Sequence, residues 1–336
     1  MNFFDFTTKD IGIDLGTANI VVTLKGKGII LRESSVVAID QVTGEILATG
    51  NDAKKMLGRT PEKIKAICPM KNGAIADFTA TSLMLKNIMK KINQQHALGK
   101  SRIVVGIPSG ITEVEEKAVQ EVFFQSNAKE VYLVKEPLAA AIGTGLNVLA
   151  PEGQMIIDIG GGTVEIAVIS LGGIIAGKSI KGGGNAIDES IIKYLKKNLK
   201  ISIGQSTAEN LKIELGSAET SVTEKSKEIR GMNIDTGLPK NQVITSRQIE
   251  EAMKEPIQEI IEAIQNVLTE IPPEISSDLI DNGIYLAGGG ALIKNLDNLI
   301  AQKTSMQTYI AETPLDCVAI GTGKIVENLP KYQRIF

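Results

Sequence analysis

The stretch IGIDLGTANI, residues 11–20, is a short apolar run followed by an acid and a glycine turn. The same pattern returns as MIIDIGGGTVEIAVI, residues 155–169. Alternation before the acid predicts a strand in each copy, and the apolar run after the turn predicts a return strand. A third apolar run follows each copy, at 28–31 and at 172–177. Glycine and aspartate are common in unrelated turns, but the repeated order and spacing favour a duplicated unit.

The rest of the chain alternates buried strands with helices. In the first half, RIVVGIP and EVYLVKEP read as strands and TEVEEKAVQEVFF as a helix, while residues 60–73 read as connecting structure. In the second half, the run from 246 to 271 predicts a long amphipathic helix in which Pro256 makes a kink or a restart. Strands alternating with helices predict an α/β fold whose sheets are covered on both faces.

Composition excludes several classes of function. The 336 residues include 36 basic and 39 acidic ones, so the net charge of −3 argues against a nucleic-acid partner. An aromatic content of 4% without tryptophan also argues against base stacking. Cys68 and Cys317 stand far apart and favour a reduced cytoplasm rather than a metal site. His96 is predicted in a polar surface loop, and no apolar run is long enough to span a membrane.

The two acid-glycine turns suit a polyphosphate. Glycines leave backbone N–H groups open to phosphate oxygens, and one turn on each side of a cleft would hold the same ligand. Asp14 and Asp158 precede the turns and would repel phosphate unless a cation lies between them, which predicts Mg²⁺. The predicted phosphate contacts are Gly16, Thr17, Ala18 and Asn19 in one turn, and Gly160, Gly161, Gly162 and Thr163 in the other.

A third glycine turn and one helix complete the predicted site. AGGGA, residues 287–291, would let a flat base lie against the backbone of Gly288, Gly289, Gly290 and Ala291. Glu209 and Lys212 share a helix face and would hold ribose hydroxyls. Ser206 and Glu209 also fit a capping box, so a structural role for Glu209 stands beside the binding role.

With these motifs in order, the chain resembles the actin-like ATPase superfamily, and within it the MreB family of bacterial actins. The resemblance covers residues 9–328 and includes DLGTAN, SSVVAID, GIPSGIT, EPLAAAIG, DIGGGT, AENLKIELGSAE and LAGGGALIKNLD. It implies two duplicated RNase-H-like lobes, each with a smaller inserted subdomain. Lobe I would take residues 1–148 with an insert at about 33–76, and lobe II residues 149–336 with an insert at about 186–248.

The resemblance also implies a function. Members bind ATP with Mg²⁺, hydrolyse it slowly and assemble head to tail into filaments that govern cell shape. The filaments lie in the cytoplasm at the inner face of the cell membrane, where adaptors such as RodZ are partners. Glu136 matches the residue that positions the attacking water, and Thr163 matches its partner in the second turn. Three departures from the family pattern, Lys135, Val164 and the missing acids at 185–186, bear on the hydrolysis rate.

Other functions remain open at this stage. A filament protein that binds ATP with little hydrolysis fits the same motifs. A chaperone of the same fold would need a further β-rich domain, for which the chain leaves no room after Phe336. A sugar or acetate kinase would need an acceptor pocket with an acid near the terminal phosphate, and Glu136 is the candidate acid.

The two chain ends suggest contact with an anionic membrane surface. Phe3, Phe4 and Phe6 lie within the first six residues, and Leu98 is the apolar residue of a polar loop. The last residues add Lys331, Arg334, Ile335 and Phe336. Apolar side chains beside a few basic ones favour binding to an anionic bilayer, and many subunits in one filament would add their weak contacts.

Overall fold

The computed structural model describes residues 9–96, 100–219 and 223–336. The strands in these ranges are β1 (Ile11–Leu15), β2 (Asn19–Leu24), β3 (Gly28–Ser34), β4 (Val37–Asp40), β5 (Ile46–Thr49), β6 (Ile64–Ile67), β7 (Met70–Lys71), β8 (Ala74–Ile75), β9 (Arg102–Ile107), β10 (Glu130–Lys135), β11 (Gln154–Ile159), β12 (Thr163–Ser170), β13 (Gly173–Lys181), β14 (Ile201–Ser202), β15 (Ser226–Asn233), β16 (Pro239–Thr245), β17 (Ile284–Ala287) and β18 (Thr308–Ile310).

The α-helices in the same ranges are α1 (Asn51–Lys54), α2 (Phe78–His96), α3 (Glu113–Gln125), α4 (Glu136–Thr144), α5 (Gly183–Leu199), α6 (Gln205–Leu215), α7 (Ser246–Thr269), α8 (Pro273–Asn282), α9 (Leu296–Thr304) and α10 (Cys317–Glu327). Short 3₁₀ helices cover Gly289–Leu292, Pro314–Asp316 and Gln333–Ile335. No helix of the described ranges is both long and apolar enough to cross a bilayer.

Two five-stranded sheets share one topology. Their strand orders are β3-β2-β1-β9-β10 and β13-β12-β11-β17-β18. In each sheet the first three strands of the chain form an antiparallel meander, and the last two add in parallel beside the first strand. Matching order and direction confirm the predicted duplicated α/β fold. Smaller three-stranded sheets, β5-β4-β6 and β14-β15-β16, occupy the two regions predicted as inserts; the exact boundaries drawn at 148, 33–76 and 186–248 stay predictions.

The last helix of each half packs against the other half. Helix α4 packs on β11 and β12, whereas α10 packs on β1 and β9. The two helices also pack against each other so closely that a side-chain carbon at Gly143 would overlap Cys317. A carbon at Gly321 would likewise overlap Ala139. Small residues therefore let the backbones of α4 and α10 meet, and this contact joins the two sheets below the cleft.

Local structure differs from the sequence expectation in four places. Residues 60–73 contain β6 and β7 rather than only connecting chain, and His96 ends helix α2 instead of lying in a loop. Helix α7 runs through Pro256 as one continuous helix, so the predicted alternative of a restart is wrong, while the kink stays a prediction. Helix α5 begins at Gly183, five residues before Asp188, where the pattern DESIIKYLKKNL predicts its start.

The carboxyl end also corrects an expectation. Ile335 is 8% exposed and packs in the apolar cluster that surrounds α4 and α10, so it is not available to a membrane. The ring of Phe336 lies 5.1 Å from that of Tyr132 but stays 46% exposed. The predicted contacts at Phe3, Phe4, Phe6 and Leu98 lie outside the described residues.

Candidate functional site

The first glycine turn, residues 16–18, joins β1 to β2. A side-chain carbon at Gly16 would lie 2.8 Å from the carbonyl oxygen of Asn19, so the tight turn needs glycine. The hydroxyl of Ser35 donates to the Gly16 carbonyl at 2.5 Å. Thr17 accepts a hydrogen bond from the Gly73 N–H at 3.0 Å and is thereby tied to the loop between β7 and β8.

The second turn, residues 160–162, joins β11 to β12 and is held from behind by the start of α5. The N–H groups of Gly184 and Asn185 donate to the carbonyls of Gly160 and Gly161, at 2.9 and 2.8 Å. Gly183 adopts φ +44°, and a side-chain carbon there would lie 2.5 Å from the Gly160 carbonyl oxygen. Glycine at 183 therefore lets the start of α5 lie directly against the second turn.

The two turns face each other across the cleft at close range. A side-chain carbon at Gly161 would stand 2.8 Å from the Ala18 methyl carbon. One at Gly162 would stand 2.7 Å from two carbons of Thr17. The two turns, which come from different sheets, can therefore touch only because Gly161 and Gly162 have no side chain. This proximity fits the predicted binding of one polyphosphate by both turns.

A cavity of about 280 Å³, the inner cavity, lies between these turns. Glu136 and the third turn, residues 288–290, also contribute to its wall. The predicted site residues that line it are Asp14, Gly16, Thr17, Ala18, Asn19, Glu136, Asp158, Gly160, Gly161, Gly162, Thr163, Gly288 and Gly289. A second cavity of about 280 Å³, the outer cavity, shares six lining residues with it: Ala18, Asn19, Gly160, Gly161, Gly289 and Leu315. Among the predicted residues, Glu209, Lys212 and Gly290 line the outer cavity.

The third turn lies against the second. Gly288 has φ +77°, and a side-chain carbon there would be 2.5 Å from an oxygen of Asp158. Ala291, which the sequence places among the base contacts, is fully buried and lines neither cavity. Its N–H donates to the Gly288 carbonyl at 3.2 Å, so Ala291 supports the turn from within.

Three carboxyls face the inner cavity, those of Glu136 and Asp158, which are buried, and that of Asp14, which is partly exposed. Burial, together with the negative charge of Asp316, raises the pKa of Asp14 from 3.8 to about 7. Burial and the charge of Asp14 raise the pKa of Asp158 from 3.8 to about 8. The pKa of Glu136 is raised well above its ordinary value, first by burial and then by Asp14. These acids repel one another around one cavity, and a bound cation would reduce that repulsion.

The donor set fits Mg²⁺ held jointly with phosphate. No group of three or more His, Cys, Asp or Glu side chains is placed to bind a metal by itself among the described residues. Mg²⁺ commonly takes one or two carboxylates and completes its shell with water and phosphate oxygens. Asp14 and Asp158 supply two carboxylates to the same cavity, so the residues present suit this mode.

Glu136 owes its position to an abrupt change of structure. Strand β10 ends at Lys135 and α4 begins at Glu136, with Pro137 in its first turn. The fixed φ of proline suits the start of a helix, and the positive end of the helix favours a carboxylate there. Glu136 is 7% exposed and points into the inner cavity rather than to solvent.

Helices α5 and α6 build one wall of the outer cavity. Lys212 lies 2.8 Å from the Asp188 carboxylate and donates to the Gly184 carbonyl at 3.1 Å. Burial raises the pKa of Asp188 to about 6 despite this lysine. The capping box proposed for Ser206 and Glu209 is wrong, because α6 begins at Gln205 with Gly204 as its N-cap. Glu209 is instead 3.7 Å from Lys54 across the cleft.

All three departures lie outside the inner cavity wall, and of them only Asn185 lines the outer cavity. Lys135 pairs with Glu116 of α3 at 2.7 Å, and Val164 is buried among apolar residues of β12. Sequence reasoning missed Arg32, Gly73 and Asp188, all of which line a cavity. Asp188 follows the glycine-rich start of α5, whereas nothing local in the sequence marks Arg32.

Comparisons with known proteins agree with this arrangement. The family model described as MreB/Mbl protein matches residues 8–334. The cell shape-determining protein Mbl of Bacillus subtilis is 46% identical over 96% of this chain and 97% of its own length. The cell shape-determining protein MreB of Escherichia coli K12 is 45% identical over 96% of this chain and 94% of its own.

Solved structures give the same result for the fold. MreB5 of Spiroplasma citri bound to ADP superposes with a TM-score of 0.92 at 36% identity, covering 98% of this chain and 99% of that one. The same protein has been solved with AMPPNP. A subunit of the MamK double helical filament, 19% identical, has a TM-score of 0.78 over 95% of this chain and 99% of its own, and shares the fold alone.

Proposed function

The chain belongs to the MreB/Mbl family, and from that premise we propose that it is an ATP-binding, slowly hydrolysing bacterial actin. We propose further that it assembles head to tail into filaments that govern cell shape at the inner face of the membrane. Relatives at 45–46% identity are named cell shape-determining proteins. The ADP and AMPPNP complexes of MreB5 support adenine nucleotide as the ligand.

The observation that carries this proposal is the pair of glycine turns in contact across one acidic cavity. Each turn comes from a different sheet, and each follows an aspartate near the end of the first strand of its sheet that lines the same cavity. A ligand that contacts both turns is therefore bound by both halves at once. Binding energy that depends on both halves would favour one relative arrangement of the halves, which is what coupling to assembly requires.

The backbone would bind the phosphates and the outer cavity the nucleoside. Residues of the first and second turns line the inner cavity, where phosphate oxygens would approach backbone N–H groups other than that of Gly160, which donates to the Thr163 carbonyl at 2.9 Å. The third turn offers a flat backbone surface beside the apolar side chains of Leu292 and Leu315, which suits a base. Glu209 and Lys212 line the same outer cavity, where we propose that they contact the ribose hydroxyls.

The acidic residues of the inner cavity would have two separate roles, metal binding and orientation of the attacking water. Asp14 and Asp158 would hold Mg²⁺, partly through water, and a bound Mg²⁺ supplies positive charge that stabilises the transferring phosphoryl group. Glu136 would orient the attacking water from the start of α4, while Thr163 would fix the other side of that water. Since positioning supplies most of the catalysis in phosphoryl transfer, one orienting carboxylate is consistent with slow turnover.

We propose membrane contact through the amino-terminal phenylalanines rather than through Ile335. A protein adaptor of the RodZ type remains a proposed partner on the strength of the family alone. Assembly needs a heterologous contact between two different faces of the subunit, and we propose the insert of the first half and the sheet-bearing part of the second.

The test couples assembly to turnover in the same sample. The purified chain is incubated with Mg-ATP, with ADP and with ATP plus a chelator, then followed by sedimentation, electron microscopy and phosphate release. We expect filaments with Mg-ATP and slow phosphate release, and neither when Mg²⁺ is removed. The same assays are run on Glu136→Gln. Glu274 is an exposed acid on α8, so Glu274→Gln serves as the matched control. If the protein stays monomeric at high concentration with Mg-ATP, the proposed filament is wrong. If filaments form without phosphate release, the protein is an ATP-binding filament protein that does not hydrolyse ATP.

A further inference from the structure

Arg32 brings a positive charge to the inner cavity. Among the described residues that line this cavity, it is the one basic side chain, beside the carboxyls of Asp14, Glu136 and Asp158. A polyphosphate in the same cavity carries several negative charges. The charge balance of the loaded site therefore depends on this arginine as well as on any bound cation.

The sheet register directs Arg32 toward that cavity. Asp14 on β1 pairs with Val21 on β2, and Val21 pairs with Arg32 on β3. Residues directly opposite one another on neighbouring strands project from the same face of the sheet. Strands are spaced by about 4.8 Å, so the backbones of Asp14 and Arg32 are roughly 10 Å apart on one face. An extended arginine side chain spans most of that distance.

In this structure the guanidinium of Arg32 is held by Asp316. Its Nη2 donates to one carboxylate oxygen at 2.6 Å, and its Nη1 donates to the other oxygen. Asp316 immediately precedes α10, and its side chain makes no capping hydrogen bond to that helix. The Arg32 side chain is 51% exposed. The Asp316 side chain is only 14% exposed, so the solvent-accessible end of the pair is the guanidinium. Because the guanidinium is open to solvent, it can reach another anion without having to leave a buried core.

We infer that Arg32 is a phosphate-binding residue of this site, whose guanidinium moves from the Asp316 carboxylate to phosphate oxygens when a polyphosphate enters the inner cavity. The inference rests on the proposed nucleotide-binding function. A guanidinium matches two phosphate oxygens with parallel hydrogen bonds, as it now matches two carboxylate oxygens. Asp316 competes for the same donors, so it lowers affinity for phosphate and favours ligands with more negative charge.

Two variants have effects of opposite sign under this inference. Dissociation constants for Mg-ATP, Mg-ADP and AMP are measured on wild type, Arg32→Gln, Asp316→Asn and the double variant. We expect Arg32→Gln to weaken ATP binding about 10-fold, the scale of one charge-assisted hydrogen bond, with a smaller loss for AMP. Asp316→Asn frees the guanidinium and should tighten ATP binding, and the double variant should behave as Arg32→Gln. Arg247→Gln, which breaks an ion pair with Glu224 at 3.8 Å outside both cavities, is the matched control.

The outcomes separate this inference from simpler readings. If both single variants weaken ATP and AMP alike, the ion pair is structural and the inference is overturned; melting temperatures identify any variant that fails to fold. Inorganic phosphate added to the ADP-loaded protein distinguishes the source of the phosphate. If Arg32→Gln loses the binding of inorganic phosphate, Arg32 binds the released phosphate. If Arg32→Gln loses only affinity for ATP, Arg32 binds the phosphates of the nucleotide. Wild type that binds no ATP would refute the proposed function instead.

Discussion

Replacing Asp158 by asparagine should stabilise the nucleotide-free protein while it weakens the response to Mg-ATP. The carboxyl group is 7% exposed, and its pKa is raised from 3.8 to about 8 because burial and the charge of Asp14 disfavour ionisation. Between about pH 4 and pH 8 the folded protein must therefore bind a proton that the unfolded chain does not, and above about pH 8 it must carry a charge that burial disfavours. Asparagine has nearly the same shape and no charge, so this cost disappears in Asp158→Asn.

The size of the effect follows from the pKa difference. One pKa unit corresponds to about 1.4 kcal/mol, so a difference of about four units sets an upper limit of about 6 kcal/mol. Asp14 and Asp158 repel each other and share part of this cost, and water in an open cavity lowers it further. We expect a gain of about 2 kcal/mol, which for a chain of this size raises the melting temperature by about 3 °C.

The pH dependence has a definite sign. Between the unfolded pKa near 4 and the folded pKa near 8, the folded state binds more protons at Asp158 than the unfolded state does. The free energy of unfolding should therefore fall as pH rises through this window and level off above it. Asp14, whose pKa is raised to about 7, acts in the same direction. Asp158→Asn removes the larger of these two contributions.

The assay compares melting temperatures of wild type and Asp158→Asn at pH 5.5 and pH 8.5, with and without Mg-ATP. Without ligand, the variant should gain most at pH 8.5; with ligand at 100 times the dissociation constant, wild type should gain about 2.7 kcal/mol and the variant far less. Glu165→Gln is the matched control. Glu165 is 1% exposed and lies directly opposite Asp158, whose pKa its charge also raises, but its own carboxylate accepts hydrogen bonds from Ser109 N–H and Ser179 Oγ. Glu165→Gln should lower the melting temperature because it weakens these hydrogen bonds. If ligand-free Asp158→Asn melts no higher than wild type at pH 8.5, burial of the Asp158 charge does not destabilise the protein.

Further predictions concern turnover, the turns and the membrane. Glu136→Gln should keep ATP affinity and slow phosphate release at least about 10-fold, the effect of losing one positioning group; unchanged release would mean that Glu136 is structural. Gly162→Ala should weaken ATP binding about 10-fold because its methyl meets Thr17, whereas Gly204→Ala, with open space around it, should be neutral in the same titration. Lys135→Glu should leave phosphate release unchanged and lower the free energy of unfolding by about 1 kcal/mol through repulsion from Glu116. A chain lacking residues 1–7 should co-sediment less with anionic liposomes than the intact chain, and equal binding by both would exclude an amino-terminal anchor.

Local sequence was sufficient for the turns and acids of the candidate site. Each glycine turn follows an apolar strand directly, so short-range alternation and turn chemistry predict both the acid and the backbone that follows it. The role of Glu136 is predicted only by the resemblance to the family, and its side chain lines the inner cavity in the structure. The paired sheets followed from the repeat, since equal patterns in equal order adopt equal topology.

Long-range contacts could not be predicted in this way. The position of Arg32 depends on the register of β3 on β2 and on the arrival of Asp316 from the other end of the chain. The support of the second turn by α5 depends on positive φ at Gly183, which a glycine permits but does not require. In each case the deciding partner is far away in sequence, and local pattern carries no information about it.

The distribution of contacts around the cleft indicates how a ligand could control the shape of the subunit. Below the cleft, α4 and α10 meet backbone to backbone through Gly143 and Gly321, an extensive buried contact that resists opening. Across the outer edge of the cleft, Lys54 of α1 and Glu209 of α6 form an ion pair at 3.7 Å with both side chains more than one third exposed. Such a pair contributes about 0–1 kcal/mol, too little to fix the cleft shut. Motion should therefore concentrate at the outer edge, where a nucleotide that contacts both turns contributes more to closure than the protein's own contacts do.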